Sequence, residues 1–402
     1  MLTRRLLLQS AVAAAAYSAQ GFRPARAENA PGVTDTEIKI GQTMPYSGPA
    51  SSYGVIGRTE AAYFKMINDQ GGINGRKITL ISLDDAYSPP KTVEQVRRLI
   101  EQEQVAFLFQ TLGTACNLAV RQYLNDNKIP QLFLATGAAI FSDPQDFPWT
   151  MRYNPSYQTE ARIYAKHILA TKPAAKIGVL YQNDDYGKDF LIGLNDGLGP
   201  DRAHMVVKEA SYEVSEPTVD SQVVTLQGSG ADVFIIAVTP KAGAQAIRKS
   251  YDLGWNATRY VNLNSSSIAI LKTAGLEKSK GLITASAYVE VADPRFKDLP
   301  DVKEWHAFTA KYMSPLDDAN SVAAYGFGAA ATMAQVLKQC GNDLSRENIM
   351  RQAASLQDFH APLLSPGVTI NTSPTNYSPI RQLQPATFNG EVWDPIGDAI
   401  GD

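Results

Sequence analysis

The sequence predicts an α/β protein of two doubly wound parallel-sheet lobes, joined by a hinge that the chain crosses several times. Short β-branched runs alternate with longer stretches of helical periodicity, the pattern of βαβ units on a parallel sheet. That alternation is completed once and then begins again. A chain of 402 residues also exceeds what one hydrophobic core usually serves, so two packed units of about 150 to 200 residues are expected.

The first series predicts a strand at 37–43, a helix at 53–69 closed by Gly71-Gly72, a strand at 77–83 and a helix at 91–104. A strand at 106–110, a helix at 115–127 and a strand at 131–135 follow. Val93, Val96, Leu99 and Ile100 recur at 3.6-residue spacing, and Pro89 and Pro90 fix the entry of their helix. The second series starts after Pro148-Trp149 with a helix at 158–170, a strand at 176–181 and a helix from Gly187. Strands are then expected at 206–210, 232–238, 259–263 and 281–285. The run VFIIAV within 232–238 is apolar on both faces, as a central parallel strand covered by helices would be. Three helices, at 302–312, 321–338 and 346–354, and a Pro-rich tail with strand-like 384–388 and 391–393 break the alternation. The order of the series assigns 28–151 plus 287–361 to one lobe and 152–286 plus 362–402 to the other.

Composition is that of an ordinary globular chain, with 44% hydrophobic and 19% charged residues. A formal charge of −3 leaves no basic excess to neutralise phosphates, which argues against nucleic acid as a partner. Residues 1–27 read as a signal peptide: Arg4 and Arg5 precede an apolar stretch from Leu6 to Tyr17, and Ala25-Arg26-Ala27 has the form of a cleavage site. The string TRRLLL fits twin-arginine export and general secretion alike. Cleavage after Ala27 removes four Arg and no acid, leaving 33 basic against 40 acidic side chains and a charge of −7. The two cysteines, Cys116 and Cys340, lack metal or redox spacing; two small buried residues are favoured over a disulfide, whose geometry the sequence leaves open.

The segments IKIGQTMPYSGPASSYG, INDQGGINGRKITLISLDD, QTLGTACNLA, IPQLFLATGA and VLYQNDDYGKDF occur in that order from about residue 37 to residue 190. Together they resemble the branched-chain amino-acid-binding (Leu/Ile/Val-binding) family, the periplasmic solute receptors of ABC importers, and the resemblance implies the type I periplasmic-binding-protein fold. It implies a small-molecule ligand held between the lobes, a membrane permease as partner, a periplasmic location and no cofactor or metal.

Open α/β sheets bind ligands outside the carboxyl ends of their strands. The loops 45–53, 111–114 and 136–139 of the first lobe are therefore candidates. Thr111-Leu-Gly-Thr114 precedes a helix, so the Gly113 and Thr114 amides and the Thr114 hydroxyl can meet an anion there, although Thr114 also suits a plain N-cap. The resemblance favours the anion, because the family holds its ligand carboxylate at this point. It further marks Ala135, Gly137 and Ala139 in LATGAA, where amino-acid-binding relatives carry a hydroxyl that is missing here, and Tyr53 and Tyr186 as aromatic walls. Thr239 follows the VFIIAV strand. The family's acidic partner for an α-ammonium falls at Asn264, a neutral dipole that cannot offset a buried charge.

These departures favour a small hydrophobic or aromatic carboxylate over a branched-chain or other neutral α-amino acid. Enzyme signatures fail: Gly326 and Gly328 fit G-x-G-x-x-A inside a helix with no strand before it, so close helix packing is the reading, and no G-x-S-x-G elbow occurs. Asp84-Asp85 reads as a strand end and turn, and Asp184-Asp185 as a helix cap. The expectation is a monomeric receptor without catalytic chemistry. An exported enzyme using the same cleft, or a sensor presenting its closed form to a membrane receptor, are the readings of a different class.

Overall fold

The computed structural model describes residues 29–401, so the signal-peptide expectation lies outside the described residues. Its first sheet holds β1 (Glu37–Met44), β2 (Lys77–Asp84), β3 (Phe107–Phe109), β4 (Gln131–Leu134) and β5 (Thr150–Arg152). All pair in parallel, in the order β2-β1-β3-β4-β5. The three-residue β5 has no counterpart in the sequence reading. It is too short for periodicity to reveal and pairs only with β4.

The second sheet contains β6 (Ile177–Gln182), β7 (Val206–Tyr212), β8 (Val233–Ala237), β9 (Thr258–Val261) and β10 (Ile283–Ser286), again parallel. The tail adds β11 (Gln382–Phe388), β12 (Trp393–Pro395) and β13 (Ile400–Gly401), all antiparallel. All five β8 residues are buried, as a strand covered on both faces requires. The second tail strand begins at Trp393 rather than 391, because Asn389 turns the chain by accepting from the Glu391 and Val392 amides. The helix expected at 91–104 is an α-helix over Pro89–Arg97, with Pro at its first positions, that continues as a π turn over Arg98–Gln102.

The chain passes between the sheets three times. After β10 the helices Pro300–Tyr312 and Ser321–Cys340 return to the first sheet and pack on the helix Gly54–Asp69. Tyr63 and Phe327 meet edge to face at 5.1 Å, and Tyr63 and Phe308 lie 6.3 Å apart. A side chain at Gly326 would place its Cβ 2.9 Å from the Ile56 carbonyl, so that glycine serves close helix packing. The crossing segments support each other through an antiparallel bridge between Tyr288 and Leu364 and a 2.7 Å hydrogen bond from Arg152 to Ser378. Cys116 and Cys340 are free and buried, and burial pushes both thiols up to about 12. Among the described residues no helix is long and apolar enough to cross a membrane.

Candidate functional site

Both parallel sheets reverse their strand order beside their first strand, β1 next to β3 and β6 next to β8. A crevice opens at such a switch point, outside the carboxyl ends of the strands. The residues following those four strands, Tyr53, Gly113, Thr114, Tyr186 and Thr239, all line one cavity of about 180 Å³, with Ala135 and Asn264. An engineered protein cavity of about 150 Å³ binds benzene, so one ring or a branched aliphatic chain is the scale of occupant. No Lys, Arg, His or Cys lines it among the described residues.

Gly113, at φ 100°, is the N-cap of the helix Thr114–Asp126, and a side chain there would strike the Tyr87 ring at 2.7 Å. Thr114 is therefore the first helical residue and not the N-cap the sequence allowed. Its hydroxyl lies 2.7 Å from that of Thr136, and the Gly113 amide donates to the Ala135 carbonyl at 3.4 Å instead of facing the cavity. The Thr114, Ala115 and Cys116 amides open the helix, where backbone donors lack helical partners and the dipole favours an anion.

Gly137 and Ala139 are not among the cavity residues. The Gly137 carbonyl accepts from the Tyr157 amide and from Arg152, and a Cβ there would lie 2.2 Å from the Pro155 carbonyl, so its glycine answers to backbone crowding. The Ala139 amide donates to Asp189 at 2.8 Å. Tyr186 offers the cavity a ring rather than a hydroxyl. That hydroxyl donates to the Val238 carbonyl at 3.1 Å and lies 2.6 Å from the Asn262 amide group. The Thr239 and Tyr212 hydroxyls pair at 2.9 Å, and Asn264 donates to Tyr157 at 3.3 Å.

Both aspartate pairs shape loops. Asp84 accepts from the Tyr46, Ser47 and Ala86 amides, and Asp85 from Tyr87, which holds Ala86 and Tyr87 at positive φ and turns the Tyr87 ring into the cavity. Asp184 caps the helix Asp185–Leu198 through the Tyr186 and Gly187 amides, and burial pushes its carboxyl up to about 6.

Several lining residues escaped the sequence reading: Tyr157, whose ring lies 4.6 Å from that of Tyr186, and Tyr288, Glu290, Ser321 and Tyr325. The acidic groups of the cavity lie not at Asn264 but at Asp293, which pairs with Arg295 at 2.7 Å, and at Glu290. One of its oxygens accepts from the Ser321 hydroxyl and, at 3.4 Å, from the Ala292 amide; the other accepts from the Ile268 amide at 3.0 Å. Burial pushes its carboxyl up, against those hydrogen bonds. The run Thr284-Ala-Ser-Ala-Tyr288-Val-Glu290 carries a period-2 signal that could have found this wall.

Two parallel α/β sheets linked by three crossings, with one cavity at both switch points, define a type I periplasmic-binding-protein fold. The model of the periplasmic binding protein family matches residues 37–390, and the chain belongs to that family. It is 27% identical over 322 residues to the Leu/Ile/Val-binding protein homolog 1 of Brucella abortus (strain 2308), covering 77% of this chain and 81% of the relative. Among solved structures it is similar to a branched-chain amino acid ABC transporter protein from Thermus thermophilus with bound valine (TM-score 0.82, 14% identity, 92% of this chain and 98% of that one). It is also similar to a solute binding protein of an ABC transporter from Rhodopseudomonas palustris BisB5 in complex with 3,4-dihydroxy benzoic acid (TM-score 0.76, 18% identity, 92% and 98%).

Proposed function

We propose that this chain is the exported, periplasmic solute-binding component of an ABC importer, which closes on a small hydrophobic or aromatic carboxylate and delivers it to a membrane permease without chemical change. The observation that carries this reading is the cavity itself. Tyrosine rings and aliphatic side chains wall it, no cationic side chain enters it among the described residues, and the first turn of Thr114–Asp126 meets it. A carboxylate there gains amide donors and a helix dipole while its apolar part leaves water. The two lobes, 28–151 plus 287–361 and 152–286 plus 362–402, would close around the ligand, which shifts the equilibrium only by binding the closed form better.

Glu290 favours a second reading, a neutral α-amino acid, because it brings a carboxylate to the same cavity. A thermal-shift panel of aromatic acids, branched aliphatic acids and neutral α-amino acids separates the two. A ligand at a hundredfold excess over Kd stabilises the fold by about 2.7 kcal/mol. Shifts with simple acids are expected, and a response confined to α-amino acids would replace the carboxylate reading with the second.

A further inference from the structure

Besides the polar residues of the loops after β8 and β9, two groups of polar side chains line the cavity. One surrounds the first turn at Thr114. The other belongs to β10 and the segment that leaves it, where Thr284 and Ser286 on the strand and Tyr288 and Glu290 beyond the bend at Ala287 all line the cavity, with Val289 adding an apolar edge. The intervening Ala285 and Ala287 are fully buried in the core. Strand alternation turns Thr284 and Ser286 to one side, and Tyr288 and Glu290 continue the same polar wall past the bend.

Three of those groups have unused hydrogen-bonding capacity, the buried Thr284 hydroxyl on β10 among them. The Tyr288 hydroxyl is buried and has no partner. A carboxylate has about four lone-pair sites, and the Glu290 oxygen that accepts from Ile268 accepts from nothing else. A buried phenol without a partner forgoes the hydrogen bond it would make in water.

We infer that Tyr288 and Glu290 form a second subsite, which recognises a hydroxyl group of the ligand remote from its carboxylate. A hydroxyl donates once and accepts twice, so it can give its proton to Glu290 while accepting from the Tyr288 hydroxyl. An ammonium only donates and leaves the Tyr288 proton without an acceptor. This inference rests on the carboxylate reading and narrows it to hydroxylated acids.

The test is calorimetric titration of the wild-type protein with benzoate, 3-hydroxybenzoate, 4-hydroxybenzoate and 4-(aminomethyl)benzoate, repeated on Tyr288→Phe and Glu290→Gln. At least one hydroxybenzoate should bind the wild type about tenfold or more tighter than benzoate, a hydrogen bond to a charged group having that worth. Each substitution should bring that ratio below about threefold. If hydroxyl-bearing and plain benzoate bind the wild type equally, the hydroxyl subsite is wrong and the carboxylate reading stands. If the aminomethyl acid binds tightest, the subsite is an ammonium site and the inference falls. If none of the four binds, the inference falls, and the carboxylate reading is then decided by the branched aliphatic acids of the thermal-shift panel.

Discussion

The hydroxyls of Thr114 and Thr136 lie 2.7 Å apart, joining the first turn of a helix to the loop that follows β4. Thr136 also accepts from the Ala138 amide at 3.2 Å. With Thr136 as the donor in the pair, the Thr114 proton is left for a ligand. Both side chains are buried. Thr136→Val keeps the shape and removes the hydroxyl, which leaves the Ala138 amide without its acceptor. The expected cost is about 1 to 3 kcal/mol of stability, read as a lower denaturant midpoint at an unchanged slope; an unchanged midpoint contradicts it.

Glu160 gives the fold a pH dependence. It is 2% exposed and accepts from the Tyr164 hydroxyl at 2.5 Å and the Leu263 amide at 2.6 Å. Burial pushes its carboxyl from the ordinary 4.5 up to about 8. The folded chain therefore keeps a proton that the unfolded chain releases. This contribution is complete below about pH 4.5 and is lost as pH rises toward 8, on the order of 1 kcal/mol per pH unit. Glu160→Gln mimics the protonated group and should flatten that decline. Denaturant titrations at pH 5, 6.5 and 8 check it, and parallel curves for the two proteins would contradict it.

Asn264 tests the sign of charge in the cleft. Asn264→Asp adds a third acidic group to a cavity already lined by Glu290 and Asp293. Binding of a simple acid should weaken, and neutral α-amino acids should gain affinity because their ammonium gains a partner. Competition titrations of an aromatic acid against leucine read both arms; tighter binding of the acid to the variant would contradict the assignment.

The fold was legible in the sequence because its strands and helices are long enough to carry a period. The runs around Glu37, Lys77 and Val233 lie within a residue or two of the strands they form. β5 was not legible, since three residues carry no period. At the site, position after a strand end located Tyr53, Thr114, Tyr186 and Thr239, because parallel-sheet topology brings those loops together. Gly137 and Ala139 lie outside the cavity, where their contacts are with neighbours distant in sequence, Pro155 and Asp189. Glu290 and Ser321 were missed for the same reason: 31 positions separate them, and only the crossings of the chain bring them into contact.

The central claim is that the cleft holds a carboxylate at the first turn of Thr114–Asp126, and Thr114→Ala tests it most directly. The substitution removes one charge-assisted hydrogen bond, worth about 1.5 to 3 kcal/mol, so the best acid of the thermal-shift panel should bind roughly 10- to 150-fold more weakly by calorimetry. Thr114→Ser, which keeps the hydroxyl, should retain most of the affinity. If Thr114→Ala binds that acid as the wild type does, the carboxylate is not held there and the account of the cleft is wrong.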